Sequence, residues 1–166
     1  KSFWWCYKNH YRFGQVMIDR FARYAGKTFR ITTENLELYN ELEKGPDAFA
    51  MLSAHVGNYE MGGYTLVAKS KCIYMLVFGQ ETQTVMENRQ EQFGKTNIRM
   101  VPVGNGMNHL FAINEALTTG QILSMTADRR FGSEKAVPCN FFGAEALFPM
   151  GPFATVIQRD VLTLVV

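Results

Sequence analysis

The chain has 166 residues, 47% of them hydrophobic and 19% charged, with a formal net charge of +2. That length and balance suit one globular domain with a sizeable core and exclude a disordered or collagen-like chain. The three cysteines (Cys6, Cys72 and Cys139) are far apart and form no CxxC pair, which argues against a disulfide scaffold and for reduced thiols in a cytoplasmic setting.

The elements are read in chain order. Residues 2–25 predict one or two helices ended by Gly26. This segment is basic and aromatic. Residues 1–30 hold Lys1, Lys8, Arg12, Arg20, Arg23, Lys27 and Arg30 against Asp19 alone, a local charge of +6 that leaves −4 for the rest. Phe3, Trp4, Trp5, Tyr7, Tyr11, Phe13, Phe21 and Tyr24 are interleaved with those cations. Rings and cations together suit an anionic membrane surface; the competing reading is an amphipathic helix packed on its own domain. No motif that reads nucleic acid is present, so no nucleic-acid partner is expected. No run of about 18 uncharged apolar residues occurs, so no spanning helix is expected either.

Thr33 is predicted to cap a short helix from Glu34 to Glu43, stopped by Gly45-Pro46. A regular alternation follows. Strands are predicted at 48–54, 71–78, 98–103, 121–127, 136–142 and 161–166, and helices at 58–68, 81–93, 108–118 and 151–159. The strands are near-continuous apolar runs separated mostly by helices. That pattern predicts an α/β fold with a largely parallel central sheet flanked by helices, preceded by an N-terminal helical layer. One domain over 1–166 is expected, with 1–44 as helical lead-in and 45–166 as the α/β core. A chain that begins at Lys1 and closes on the apolar run Val161 to Val166 reads as a piece of a longer protein.

Ligands of such sheets bind beyond the C-terminal strand ends. His55 and Asp128 both follow a predicted strand, so both are expected at one crevice. His55 and Glu60 are five positions apart, about 140° around a straight helix, which would separate them. Gly57-Asn58 supplies a turn between strand and helix, with Asn58 as cap, that lets Glu60 point back at His55. A carboxylate on one imidazole nitrogen fixes the tautomer and supports the cation formed when the other takes a proton. This is the base-plus-orienter half of a hydrolase triad, with the substrate's own hydroxyl or amine as nucleophile. A core histidine beside a helix-capping glutamate explains the spacing equally well.

Arg129 and Arg130, after Asp128, present forked donors for phosphate or carboxylate; a solvated loop with a local Asp–Arg pair is the alternative. Gly26-Lys27-Thr28 and Gly94-Lys95-Thr96 lack the earlier glycine of a phosphate loop, with Phe21 and Arg89 at that position. His10 and His109 have no nameable partner, no metal-ligand spacing exists, and neither metal nor cofactor is expected. The stretch from Phe141 to Pro152 reads as an apolar loop leading into a helix. It is either a wall for an acyl chain or plain core packing.

His55-Val56-Gly57-Asn58-Tyr59-Glu60 resembles the HxxxxD/E signature of glycerolipid acyltransferases, and in its glutamate form the late acyltransferases of bacterial lipid A synthesis. The similarity continues through Asp128-Arg129-Arg130-Phe131-Gly132, Val137-Pro138, Phe142-Gly143 and Pro149-Met150-Gly151-Pro152, with Asn9-His10-Tyr11 and Phe13-Gly14 in the lead-in. The resemblance implies a glycerolipid-acyltransferase-like fold and transfer of an acyl group from an acyl carrier protein or acyl-CoA thioester to a lipid hydroxyl or amine. It implies His55 as base and Glu60 as orienter. Gly57, Asn58, Arg89, Asp128, Arg129, Arg130 and Gly132 become substrate contacts. It also implies work at a membrane surface, on the cytoplasmic face of the bacterial inner membrane, peripherally or through a segment outside this chain. Acylation of a lysophospholipid or aminolipid, or a non-catalytic lipid-binding domain, are the alternative readings.

Overall fold

The structure, a computed structural model, describes residues 2–63, 68–78, 97–104, 106–130 and 135–166, without the side chains of Glu60 and Phe78. The chain forms two compact units, Lys1–Glu34 with His55–Leu66, and Asn35–Ala54 with Val67–Val166.

The second unit carries the sheet. Its strands are β1 (Phe49–Ser53), β2 (Ile73–Phe78), β3 (Ile98–Val103), β4 (Ile122–Thr126) and β7 (Leu162–Val165), in the order β3-β2-β4-β1-β7. Every pairing is parallel, as the apolar runs predict. Side chains alternate between the two faces. On one face Ala50, Leu52, Leu123, Met125, Tyr74 and Val101 form a buried layer. Ala112, Ile113 and Ala116 of the helix Asn108–Thr118 cover it. Alanines at two of those three positions let helix and sheet approach closely. Phe49 faces the other way, and Tyr39 from the helix Leu36–Lys44 meets it edge-on with ring centroids 6.0 Å apart. Helices thus lie on both faces.

The N-terminal ends of the strands are held by a polar clamp. Glu43 is buried, and its Oε1 accepts the backbone N–H groups of Lys69 at 2.7 Å, Lys71 at 3.2 Å and Ser70. Burial pushes its pKa up, but the N–H donors of Ser70, Lys69 and Lys71 outweigh burial and hold the carboxyl below its ordinary range. Burial and the Glu43 charge push the Tyr39 phenol up to about 12. Lys71, only 5% exposed, donates through Nζ to the carbonyls of Asp47 at 3.0 Å and Gly120. Gly120 has φ +71°, and a Cβ there would stand 2.5 Å from the Pro46 carbonyl oxygen. Gly120→Ala is therefore expected to cost about 2 kcal/mol or more, read as a lowered urea midpoint.

Several predicted boundaries move. The first helix, α1, is one continuous element, Ser2–Tyr24. The second, α2, spans Leu36–Lys44 behind Asn35 in the left-handed region, so Thr33 is not its cap. The helix expected at 58–68 appears as α3, Tyr59–Gly63, and Ala68 lies outside it. The helix expected at 81–93 falls outside the described residues. Helices α4 (Asn108–Thr118) and α5 (Met150–Gln158) stand where the pattern puts them.

The largest correction concerns Phe141 to Pro152. Its first part is a strand rather than a loop, it does lead into a helix, and most of it is exposed rather than packed in the core. β5 (Ala136–Phe141) and β6 (Ala144–Pro149) pair antiparallel in a sheet of their own. Phe142 and Gly143 make the two-residue turn, both with positive φ, 54° and 81°. Such a turn ordinarily takes Asn-Gly, so the phenylalanine hid the hairpin. Phe142 is 94% exposed.

Candidate active site

β1 and β4 are neighbours, and their ladder continues past the strand ends, where Ala127 N–H donates to Ser53 O at 2.8 Å. From β1 the chain runs on to β2, beyond β4. From β4 it runs on to β7, beyond β1. Ligands of open α/β sheets bind outside the carboxyl ends of the strands, the ends at which both of these strands exit. Two residues after β1 comes His55, and two residues after β4 comes Asp128.

Within the first unit, Gly57 has φ +65°, the left-handed backbone that the predicted turn requires. A Cβ at Gly57 would meet nothing within 4 Å, so conformation rather than crowding calls for glycine. The turn delivers the chain into α3 at Tyr59. His55 is half-buried, and its ring meets the Tyr59 ring at 4.6 Å between centroids with the planes 71° apart. That edge contact restrains the imidazole plane. Asn58 Nδ2 donates to Asp19 Oδ2 of α1 at 3.3 Å, and the Asn58 carbonyl accepts Met61 N–H at 3.1 Å. The turn is thereby tied to a helix 39 positions earlier in the chain.

Glu60 is the second residue of α3, but its carboxylate lies outside the described residues, as do Arg89 and Gly132. Asp128 is half-buried, and Arg129 and Arg130 are exposed directly after the β4 exit. His10 is occupied locally, with Nδ1 donating to the Cys6 carbonyl at 2.8 Å. Among the described residues no group of His, Cys, Asp or Glu is spaced to hold a metal ion.

Two contributors escaped the sequence reading. Tyr59 is one of the variable positions of the motif, although an aromatic ring four positions after His55 can reach the imidazole across the turn. Asp19 stands out in the sequence only as the one acid among the first 30 residues. Nothing in its local sequence points to Asn58.

No curated protein gave a match to the chain. A family model described as bacterial lipid A biosynthesis acyltransferase matches residues 13–165, from within α1 to the end of β7 and through both strand exits. With a parallel sheet, a histidine turn after β1 and that match over most of its length, the chain belongs to the bacterial lipid A biosynthesis acyltransferase family.

Proposed function

We propose that this acyltransferase moves a fatty acyl group from an acyl carrier protein or coenzyme A thioester to a hydroxyl or amine of a lipid A precursor. His55 is the general base and Glu60 its orienting partner. The observation that supports this reading is the left-handed Gly57 turn, which follows His55 in the chain and leads into the helix that bears Glu60.

His55 takes the acceptor proton as the oxygen or nitrogen attacks the thioester carbonyl. The carbonyl becomes an oxyanion, which N–H groups at the start of α3 near Gly57 and Asn58 stabilise. Collapse breaks the carbon–sulfur bond, and the protonated imidazole returns its proton to the departing thiolate. Glu60 holds the tautomer and balances the transient imidazolium. Asp128, Arg129, Arg130 and Gly132 form the second loop of the site, where the arginines meet phosphate on donor or acceptor. Arg89 adds a further anion contact. The enzyme works at the cytoplasmic face of the bacterial inner membrane.

The test incubates the protein with an acyl-carrier-protein or coenzyme A thioester and a detergent-dispersed lipid A precursor, followed by mass spectrometry. The expected product is acceptor heavier by one acyl chain. Consumption of thioester with release of free fatty acid and no acylated lipid would replace transfer by hydrolysis.

A further inference from the structure

The turn between His55 and α3 is anchored to α1 through a side chain. Asp19 of α1 and Asn58 of the turn lie in the same compact unit, 39 positions apart in the chain, and Asn58 Nδ2 donates to Asp19 Oδ2 at 3.3 Å. Asn58 stands between His55 and Glu60, so the bond lands in the middle of the motif. The bond from Met61 N–H to the Asn58 carbonyl is local and moves with the turn. α3 has five residues, Tyr59–Gly63, too short a helix to hold its own orientation. α1 is one continuous helix of 23 residues, Ser2–Tyr24, and offers a long support. Asp19 also forgoes a simpler partner. Arg23, four positions on in the same helix, has the spacing of an ordinary helical ion pair. The ion pair seen among the described residues is instead Arg99–Glu115. Asp19, the one carboxylate of the first 30 residues, is half-buried and accepts from an uncharged amide on another segment.

We propose that Asp19 is a positioning residue for acyl transfer, acting through the Asn58 side chain to hold the turn that places His55 and the N–H groups at the start of α3. The proposal rests on the acyl-transfer function proposed above. In that mechanism Asp19 touches no reacting atom. What it restrains is the backbone between the base and α3, and with it the N–H groups near Gly57 and Asn58 that stabilise the oxyanion. Attack on a carbonyl tolerates little error in placement, and a shift of about 1 Å can cost about 10²-fold in rate. The bond is long for a charged acceptor, since such bonds ordinarily measure about 2.7–2.9 Å. Its weight in overall stability is therefore small. It decides where the turn stands rather than whether the chain folds.

The experiment measures kcat and KM per folded molecule for the parent, D19A, D19N, N58A and D19A/N58A, with a thioester donor and a detergent-dispersed lipid A precursor. D19A should lose about 10–100-fold in kcat, with KM for the acceptor within about twofold of the parent and the thermal midpoint within a few degrees. D19N should stay within about threefold of the parent, because a carboxamide oxygen still accepts from the Asn58 amide. N58A keeps its backbone N–H and should fall as D19A does. The double variant should fall no further than the slower single, as expected for two ends of one bond. Amide hydrogen exchange over residues 55–61, read by mass spectrometry without substrate, should be faster in D19A and N58A than in the parent. D19A with parental kcat would overturn the proposal. So would D19N as slow as D19A, which would assign the effect to charge, or additive losses in the double variant, which would separate Asp19 from Asn58. A lowered thermal midpoint with kcat per folded molecule unchanged would make the bond structural alone and overturn it as well. A parent that transfers no acyl group would overturn the acyl-transfer function and the rate claim with it, while the exchange difference would still read the tie between α1 and the turn.

Discussion

Replacing His55 with alanine should lower acyl transfer by about 10²–10⁴-fold, the range general-base assistance supplies. The fold should survive. His55 is half-buried on a turn, and the substitution removes its ring packing on Tyr59. The expected thermal midpoint is within a few degrees of the parent. Transfer should fall while the affinity for acceptor changes little, because the imidazole acts on the proton in flight and not on the lipid in its ground state. Glu60→Gln should lower the rate as well while keeping the helix, by weakening support for the transient imidazolium. A His55→Ala protein with full transferase activity would remove the base from the mechanism and leave only positioning.

The second large effect is on stability and lies at the opposite end of the sheet. Glu43→Ala removes the acceptor of three backbone N–H groups, from Lys69, Ser70 and Lys71, of which Lys71 is buried. A cost of about 2–4 kcal/mol is expected, measured by urea unfolding, since hydrogen bonds to a charged group are worth more than neutral ones and orphaned buried donors are expensive. The same residue gives the molecule an acid limb. Its carboxyl is held below the ordinary range when folded, so its contribution is complete above the unfolded carboxylate value and is lost as pH falls through the folded one. Stability of the parent should therefore decline as the pH drops below about 4.5. Glu43→Gln should be less stable at neutral pH and show a shallower decline. Parallel acid limbs in the two proteins would show that Glu43 is not the group responsible. Activity per folded molecule should be unchanged in either variant, because the clamp sits at the N-terminal ends of the strands and the strand exits toward His55 and Asp128 are at the C-terminal ends.

The candidate site was legible where chemistry is written in consecutive residues. His55, Gly57 and Glu60 lie within six positions, and a glycine between an apolar strand and a helix implies a left-handed turn. The aromatic and basic character of α1 was visible as composition, but only the continuous helix through Gly14 shows that the rings line up as one strip. The hairpin was missed because its turn uses Phe142 where asparagine is usual. Its strands β5 and β6 are mostly exposed rather than clearly alternating.

By itself the sequence determined the parallel α/β class, the order of most elements and the motif that names the family, because strand burial, helix periodicity and a local turn all act over a few neighbouring residues. Only the tertiary structure decided the strand order β3-β2-β4-β1-β7, the Glu43 and Lys71 clamp and the Asn58–Asp19 tie. Those depend on which distant segments meet, and one carboxylate or amide carries no mark in the sequence of the partner that packing will bring to it.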